Sequence, residues 1–214
     1  MPPIDIAALL SPYITGLTPT QLDQVSTYLD LLQRWNAHMN LTSVRDPEHI
    51  VTRHFGESFF LARQPFVKET GVTNGVSPGV IDVGSGAGFP GIPLKILHPE
   101  LTCMLVEAHQ KKAVFLREVL RALHLEADVR SERAEDLARK GTKAGLVTMR
   151  AVEKFESILP VAANLVAPGG TLAILVSSAQ TQVAQQLLPN WRFRPFLPLP
   201  GAETRGILWG NRSS

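Results

Sequence analysis

The stretch Val80–Pro93 reads VIDVGSGAGFPGIP and holds the densest set of residues that could do chemistry. Gly84, Gly86 and Gly88 alternate directly after a short apolar run that contains Asp82, and Gly91 follows. Three alternate glycines cost backbone entropy that an ordinary turn need not spend. The pattern therefore reads as a turn where the backbone approaches a ligand. Gly86-x-Gly88-x-x-Gly91 satisfies the dinucleotide fingerprint, but Asp82 stands two residues before Gly84, where it would crowd a pyrophosphate. A carboxylate there suits a ligand with a positive group, such as an ammonium or a sulfonium. Pro90 and Pro93 delay the next helix and weaken the grip of a helix N-terminus on phosphate. A second apolar run ends in Glu107, about twenty residues beyond the glycines, where an acid commonly accepts the hydroxyls of a ribose.

These residues need a scaffold, and the pattern after residue 79 supplies one. Short apolar runs, VIDV (80–83), TCMLVE (102–107), EADVR (126–130), GLVTM (145–149) and TLAILV (171–176), alternate with helical segments such as HQKKAVFLREVLRALHL (109–125). Strand and helix in repetition predict an α/β fold with a mostly parallel sheet covered on both faces. The strands lack alternation, as doubly covered strands do. WRFRPFLPL (191–199) and TRGILWG (204–210) flank a Pro-Gly turn and predict an antiparallel hairpin closing a seven-stranded, Rossmann-like sheet.

The first ~65 residues are helical by pattern. Thr18-Pro19-Thr20-Gln21 forms a capping-box start, and Leu22, Val25, Leu29, Leu32 and Trp35 follow at helical spacing. Asp46-Pro47-Glu48 starts a second helix that runs toward Ala62, and residues 4–15 form a shorter one. ETGVTNGVSPG (69–79) reads as a loop. The division is a helical section over 1–68, packed on a ligand-binding domain over 69–214.

The chain has 214 residues, 44% hydrophobic and 19% charged, an ordinary globular composition. Its net charge of +2 does not by itself argue for nucleic acid. An anionic partner would meet a local patch, and residues 190–214 carry Arg192, Arg194, Arg205 and Arg212 against Glu203 alone. Cys103 is the only cysteine, which leaves no intrachain disulfide and no Cys-based metal site. The N-terminus has no basic n-region, and no apolar run reaches the ~20 residues of a membrane span. A cytoplasmic setting is expected.

Taken together, RWNAHMNLTSVRDPEHIVTRHFGES (34–58), DVGSGAGFPGIPL (82–94), KAVFLREV (112–119), SERAEDL (131–137), MRAV (149–152) and APGGTL (167–172) resemble the family of ribosomal RNA small subunit methyltransferase G, also called glucose-inhibited division protein B. This is a family of class I S-adenosylmethionine-dependent methyltransferases. The likeness spans Arg34 to Gly170. Two departures stand out: Met149 precedes Arg150 where a serine is expected, with Ala151 behind it, and Ala113 replaces a basic residue after the lysine pair.

The resemblance implies methyl transfer from S-adenosylmethionine to N7 of a guanosine in the 530 loop of 16S rRNA, on RNA or a 30S particle, with no membrane, no metal and no obligate protein partner. It places Gly84, Gly86, Gly88 and Phe89 along the cofactor, Glu107 on the ribose, and Ala134 and Glu135 beside the adenine. Asp82 would order the methionine moiety, and Arg150 would serve as the catalytic residue facing both the methionine end and the entering base. Arg45, Arg53, His54, Lys111, Lys112 and Arg117 would contact RNA. Guanine N7 has an in-plane lone pair and no hydrogen, so no base is needed. Other targets would leave other marks. Cytosine C5 chemistry needs an active cysteine, and Cys103 sits within an apolar strand. Exocyclic-amine enzymes of the known type carry an Asn/Asp-Pro-Pro-aromatic tetrapeptide after strand four, where this chain has Met149-Arg150-Ala151-Val152. The alternatives are a methyltransferase for another RNA site, a small molecule or a protein; a dinucleotide-dependent oxidoreductase; and a non-catalytic RNA-binding or assembly module.

Overall fold

A computed structural model describes residues 5–71 and 79–213. Its centre is an eight-stranded sheet in the order β3-β2-β1-β4-β5-β8-β6, with β7 also paired to β8. The strands are β1 (Val80–Val83), β2 (Cys103–Val106), β3 (Asp128–Arg130), β4 (Ala144–Arg150), β5 (Val166–Ser177), β6 (Trp191–Phe193), β7 (Leu197–Leu199) and β8 (Ala202–Arg212). β1 to β5 run parallel, and β8 joins β5 antiparallel with Leu175 opposite Ile207. The α/β expectation holds, and the strand count differs for a local reason. β6 and β7 both pair with β8 and are two halves of one interrupted strand. Pro195 lies in the gap and has no N–H to give the ladder.

The helices are α1 (Ile6–Leu10), α2 (Pro19–Asn36), α3 (Pro47–Ile50), α4 (Glu57–Ala62), α5 (Pro65–Gly71), α6 (Gly91–Leu97), α7 (Gln110–Ala122), α8 (Ala134–Arg139), α9 (Phe155–Asn164) and α10 (Ser178–Leu187). The capping box at Thr18 and Gln21 is formed on both sides, at 3.2 and 2.9 Å. The helix expected from Asp46 to Ala62 is one path, but Val51–Gly56 is wound as a π-helical segment between α3 and α4. α5 extends into the stretch read as a loop, whose residues 72–78 lie outside the described ones. Among the described residues, no helix is long and apolar enough to cross a membrane.

One apolar cluster runs unbroken from Leu10 and Val25 in the helical section through Phe55 and Phe59 to Leu94, Phe115 and Ile207. A second, beneath the other sheet face, joins Ile81, Val147 and Ile174 to Leu159 and Ala163 of α9. Tyr28, Phe55 and Phe59 are fully buried, so the first cluster is shared between section and sheet.

The start of α6 shows how tightly the sheet edge is built. Pro90 offers α6 no side-chain cap. Asp82 of β1 supplies it instead, accepting the Gly91 N–H on Oδ2 at 3.2 Å. A Cβ at Gly91 would press into the Leu105 side chain and come within 2.8 Å of Asp82 Oδ2. In an open helix Gly→Ala gains about 1 kcal/mol, whereas overpacking a core costs about 1–3 kcal/mol. Here the clash includes a charged group held by the backbone, so the penalty wins. Gly91→Ala should lower the urea midpoint of unfolding by the equivalent of ~1–2 kcal/mol. A variant of equal or greater stability would show that this junction is not close-packed.

Candidate functional site

A cavity of about 760 Å³ opens along the carboxyl edge of β1, β2 and β4. Its walls come from the glycine turn, from residues 106–109 after β2, from 132–135 after β3, from Arg150–Lys154 after β4, and from Leu41–Val44, Arg53 and His54 of the helical section. Crevices at this edge of an open α/β sheet are where such folds hold ligands.

The turn is fixed from several sides. Gly84, Gly86 and Gly88 all have positive φ, +66°, +56° and +93°. A Cβ at Gly88 would collide with the Tyr28 hydroxyl, which donates to the Ala87 carbonyl of the same turn. At Gly84 a Cβ would meet Val152 Cγ2 at 3.0 Å. The Phe89 ring is stacked on Tyr28 at 5.2 Å, meets Phe55 edge-on at 5.0 Å and touches the His54 ring at 5.1 Å. Phe89 lines the cavity with most of its ring buried.

Glu107 stands in the wall with two fixed oxygens. Oε2 accepts the Gly86 N–H at 2.9 Å, and Oε1 accepts the His109 N–H at 2.7 Å. Each oxygen keeps a lone pair, so the carboxylate can still accept from a pair of ligand hydroxyls. Ala134 and Glu135 open α8, and Arg133 before them makes no side-chain cap. The first backbone N–H groups of that helix therefore have no helical acceptor.

Asp82 lies beneath the turn and off the cavity walls. Oδ1 accepts the Thr148 hydroxyl at 2.8 Å and Oδ2 the Gly91 N–H. Burial, reinforced by Glu107, pushes its pKa up to about 6 despite these hydrogen bonds. The strand places this side chain inward, so any effect on a ligand runs through the turn that it holds.

Arg150, the last residue of β4, is a junction. Its Nη2 lies 2.9 Å from Glu57 Oε2, 2.7 Å from the Arg53 carbonyl and 3.1 Å from His54 Nδ1. Nη1 reaches the His54 carbonyl at 3.3 Å. Glu57 is nearly inaccessible and also pairs with Arg205 at 3.0 Å. Arg150 still borders the cavity, so it both anchors the helical section and faces the space.

The expected RNA contacts divide. Arg53, His54 and Lys112 line the cavity, while Arg45, Lys111 and Arg117 lie off its walls. Arg45 donates to the Asn36 carbonyl at 2.6 Å and to Asn40 Oδ1 at 2.9 Å, and Arg117 donates to the Val129 carbonyl at 3.0 Å. Burial, with Arg150 and Arg53 nearby, pushes His54 down to about 3. Its ring is neutral near pH 7 and offers phosphate no charge. Sequence reasoning did not single out Tyr28, Thr42, Glu57 or Val152. Glu57 left a signal, as a lone acid inside the apolar run FGESFFLA. Tyr28 left none beyond its helical spacing.

Comparison with known proteins follows the same lines. The model of the family "rRNA small subunit methyltransferase G" matches residues 21–192. Proteins named ribosomal RNA small subunit methyltransferase G are similar along nearly the whole chain. That of Xanthomonas oryzae pv. oryzae is 45% identical over 207 residues, covering 93% of this chain and 91% of its own. That of Stenotrophomonas maltophilia is 38% identical over 200 residues, covering 92% and 89%. Among solved structures, magnesium protoporphyrin IX methyltransferase from Synechocystis has a TM-score of 0.63 at 15% identity, covering 93% of this chain and 100% of its own. A ribosomal protein L11 methylase from Lactobacillus delbrueckii subsp. bulgaricus has 0.58 at 15%, covering 74% and 80%. These two share the fold.

Asp82 yields a test of the turn's electrostatics. Its pKa is higher in the folded chain, about 6 against 3.8, so the folded state holds this proton more tightly. That contribution to stability is complete below pH ~3.8 and is lost as pH rises through ~6. Asp82→Asn removes the titration yet can still accept from Gly91 and pair with Thr148. The melting temperature of the variant relative to wild type should therefore rise between pH 4 and 6.5, then level off, at about 2–4 °C per kcal/mol. A constant difference across that range would show that the carboxylate is not strained by burial.

Proposed function

The chain belongs to the rRNA small subunit methyltransferase G family, and on that footing we propose that it methylates N7 of a guanosine in the 530 loop of 16S rRNA. At the coarser level it is an S-adenosylmethionine-dependent methyltransferase of small-subunit rRNA. The finer reading includes a 30S particle or its precursor as substrate, action in the cytoplasm and no obligate protein partner.

The observation that carries the cofactor assignment is Glu107. Its two oxygens are fixed in the cavity wall by backbone N–H groups and retain lone pairs for two ribose hydroxyls. The cavity lies within the ~300–1,000 Å³ range of small-ligand sites. Gly84, Gly86 and Gly88 would let the turn approach the ligand, Phe89 would border it, and the N–H groups at Ala134 and Glu135 would meet the adenine edge. Asp82 would act from beneath, by holding the turn. When bound, S-adenosylmethionine supplies an electrophilic methyl group on a sulfonium.

The β4 flank would receive the base. Transfer to N7 removes no proton, so the residues there need only align the acceptor, which can supply much of the rate. Arg150 stays a cation, and its placement by Glu57 and two carbonyls suits orientation better than proton transfer. Arg53 and Lys112 at the walls are placed to meet phosphate, with Arg45, Lys111 and Arg117 farther out. Arg45 also fastens its own loop.

Two experiments test this. Incubation with methyl-labelled S-adenosylmethionine and naked 16S RNA, 30S particles or bulk protein should label RNA, as 7-methylguanosine at one nucleotide of the 530 loop. Label in protein, or at another atom, would sink the reading. Arg150→Lys should lower kcat on the preferred substrate by about 100-fold, because a point charge cannot replace the guanidinium fork. Cofactor affinity should move little, and Arg205 should still pair with Glu57. A fully active variant would remove Arg150 from the site.

A further inference from the structure

The segment NLTS (40–43) looks like a plain turn between two helices, yet its threonine is unusually constrained. Asn36 grips Thr42 on both backbone sides: Oδ1 accepts the Thr42 N–H at 3.0 Å, and Nδ2 donates to the Thr42 carbonyl at 3.0 Å. Arg45 in turn holds the Asn36 carbonyl and the Asn40 side chain. The hydroxyl Oγ1 receives the Val44 N–H at 3.1 Å and lies 2.7 Å from His54 Nε2. Thr42 lines the cavity.

Proton positions along this chain follow by elimination. Arg150 Nη2 faces His54 Nδ1 at 3.1 Å. The two N–H groups of Nη2 are shared among Glu57, the Arg53 carbonyl and Nδ1. A guanidinium has no acceptor, so a protonated Nδ1 would face only donors and the lone pair is favoured there. Neutral imidazole then carries its proton on Nε2, which donates to Thr42 Oγ1. That oxygen already accepts from Val44, so both lone pairs are filled. The remaining function of the hydroxyl is its own O–H, and no acceptor among the described residues takes it. Thr42 is thus a donor and not an acceptor, on a cavity wall.

The sheet order says which end of the cavity it serves. β4 and β2 flank β1 on opposite sides. Glu107 ends the β2 side, and Arg150 ends the β4 side, where His54 and Thr42 join it. If the ribose lies at Glu107, Thr42 borders the opposite end, where the methyl group is passed. Guanine presents N7 and O6 side by side as acceptors, whereas a 6-amino purine presents an N–H donor next to N7.

We propose that the Thr42 hydroxyl donates to O6 of the target guanine and thereby selects against 6-amino purines. This rests on the N7-guanosine reading. Its direction is fixed by the relay Arg150 to His54 to Thr42, so a purine amine would meet donor against donor.

The test uses reconstituted 30S particles whose target nucleotide is either guanosine or 2,6-diaminopurine, which keep the same N7 and 2-amino group and differ in the group at position 6 and the N1 proton that goes with it. Wild type should methylate the guanosine particles on the order of tenfold or more faster. Thr42→Val should slow the guanosine reaction about tenfold and leave the diaminopurine rate nearly unmoved, so the ratio collapses. Thr42→Ser keeps the hydroxyl and should keep the ratio. The ratio does not depend on how much of a variant is folded, and calorimetry should give unchanged S-adenosylmethionine affinity. A Thr42→Val enzyme that retains the full ratio overturns the proposal, as does one slowed equally on both particles. Wild type that methylates neither particle, with methyl groups found elsewhere by mass spectrometry, overturns the N7-guanosine reading and this proposal together.

Discussion

The carboxylate of Glu57 is the joint on which the architecture of the site depends. It is withdrawn from solvent and meets Arg150 from the sheet and Arg205 from the antiparallel end strand. Removing one partner of such a buried pair typically costs about 3–5 kcal/mol, since a charge is left without its counterion. The shared apolar cluster contributes more in total, but apolar burial is non-directional. It would tolerate a small rotation of the helical section, and the ion pair would not. The contact between Arg150 and the Arg53 and His54 carbonyls exists only in one orientation. A wall built from residues 41–44, 53 and 54 thereby keeps a fixed relation to the glycine turn.

Charge is divided around that joint. Asp82 lies under the turn and Glu107 in the wall on the β1 and β2 side, while Arg53 and Arg150 stand on the β4 side; Arg133 and Glu153 also line the cavity, after β3 and β4. His54 lies between, held neutral, within hydrogen-bond reach of both Arg150 and Thr42 without adding charge. The aromatic stack of Tyr28, Phe55 and Phe89 seals the back of the turn.

Much of this was legible in the residues. VIDVGSGAG announced a strand and a tight glycine turn after it because period, composition and glycine spacing all act locally. Glu107 was readable for the same reason, as the end of a short strand at a set distance from the turn. The π-helical winding of Val51–Gly56 was not, since its residues fit an ordinary helix; Gly56 at its end lies against the Tyr13 ring. Asp82 was placed correctly along the chain, yet which way its oxygens turn is decided by Thr148, sixty-six residues away. The partners of Arg150 lie more than ninety residues upstream, and no local pattern can name them. The broken end strand illustrates a middle case: Pro195 is visible in the sequence, but it marks an interruption only once β8 is known to run past it.

That interruption bears on how the molecule behaves among its own copies. A sheet with long, regular rims invites another chain to add a strand and seed aggregates. Here one rim is β3, three residues long and flanked by the Asp128–Arg130 pair. The other is split into three-residue pieces by Pro195, carries Pro198 within β7, and exposes Arg192 and Arg194. Neither rim offers the run of free backbone groups that strand addition needs. The same irregularity that spoils a tidy strand count leaves a neighbouring copy little template for edge-to-edge pairing.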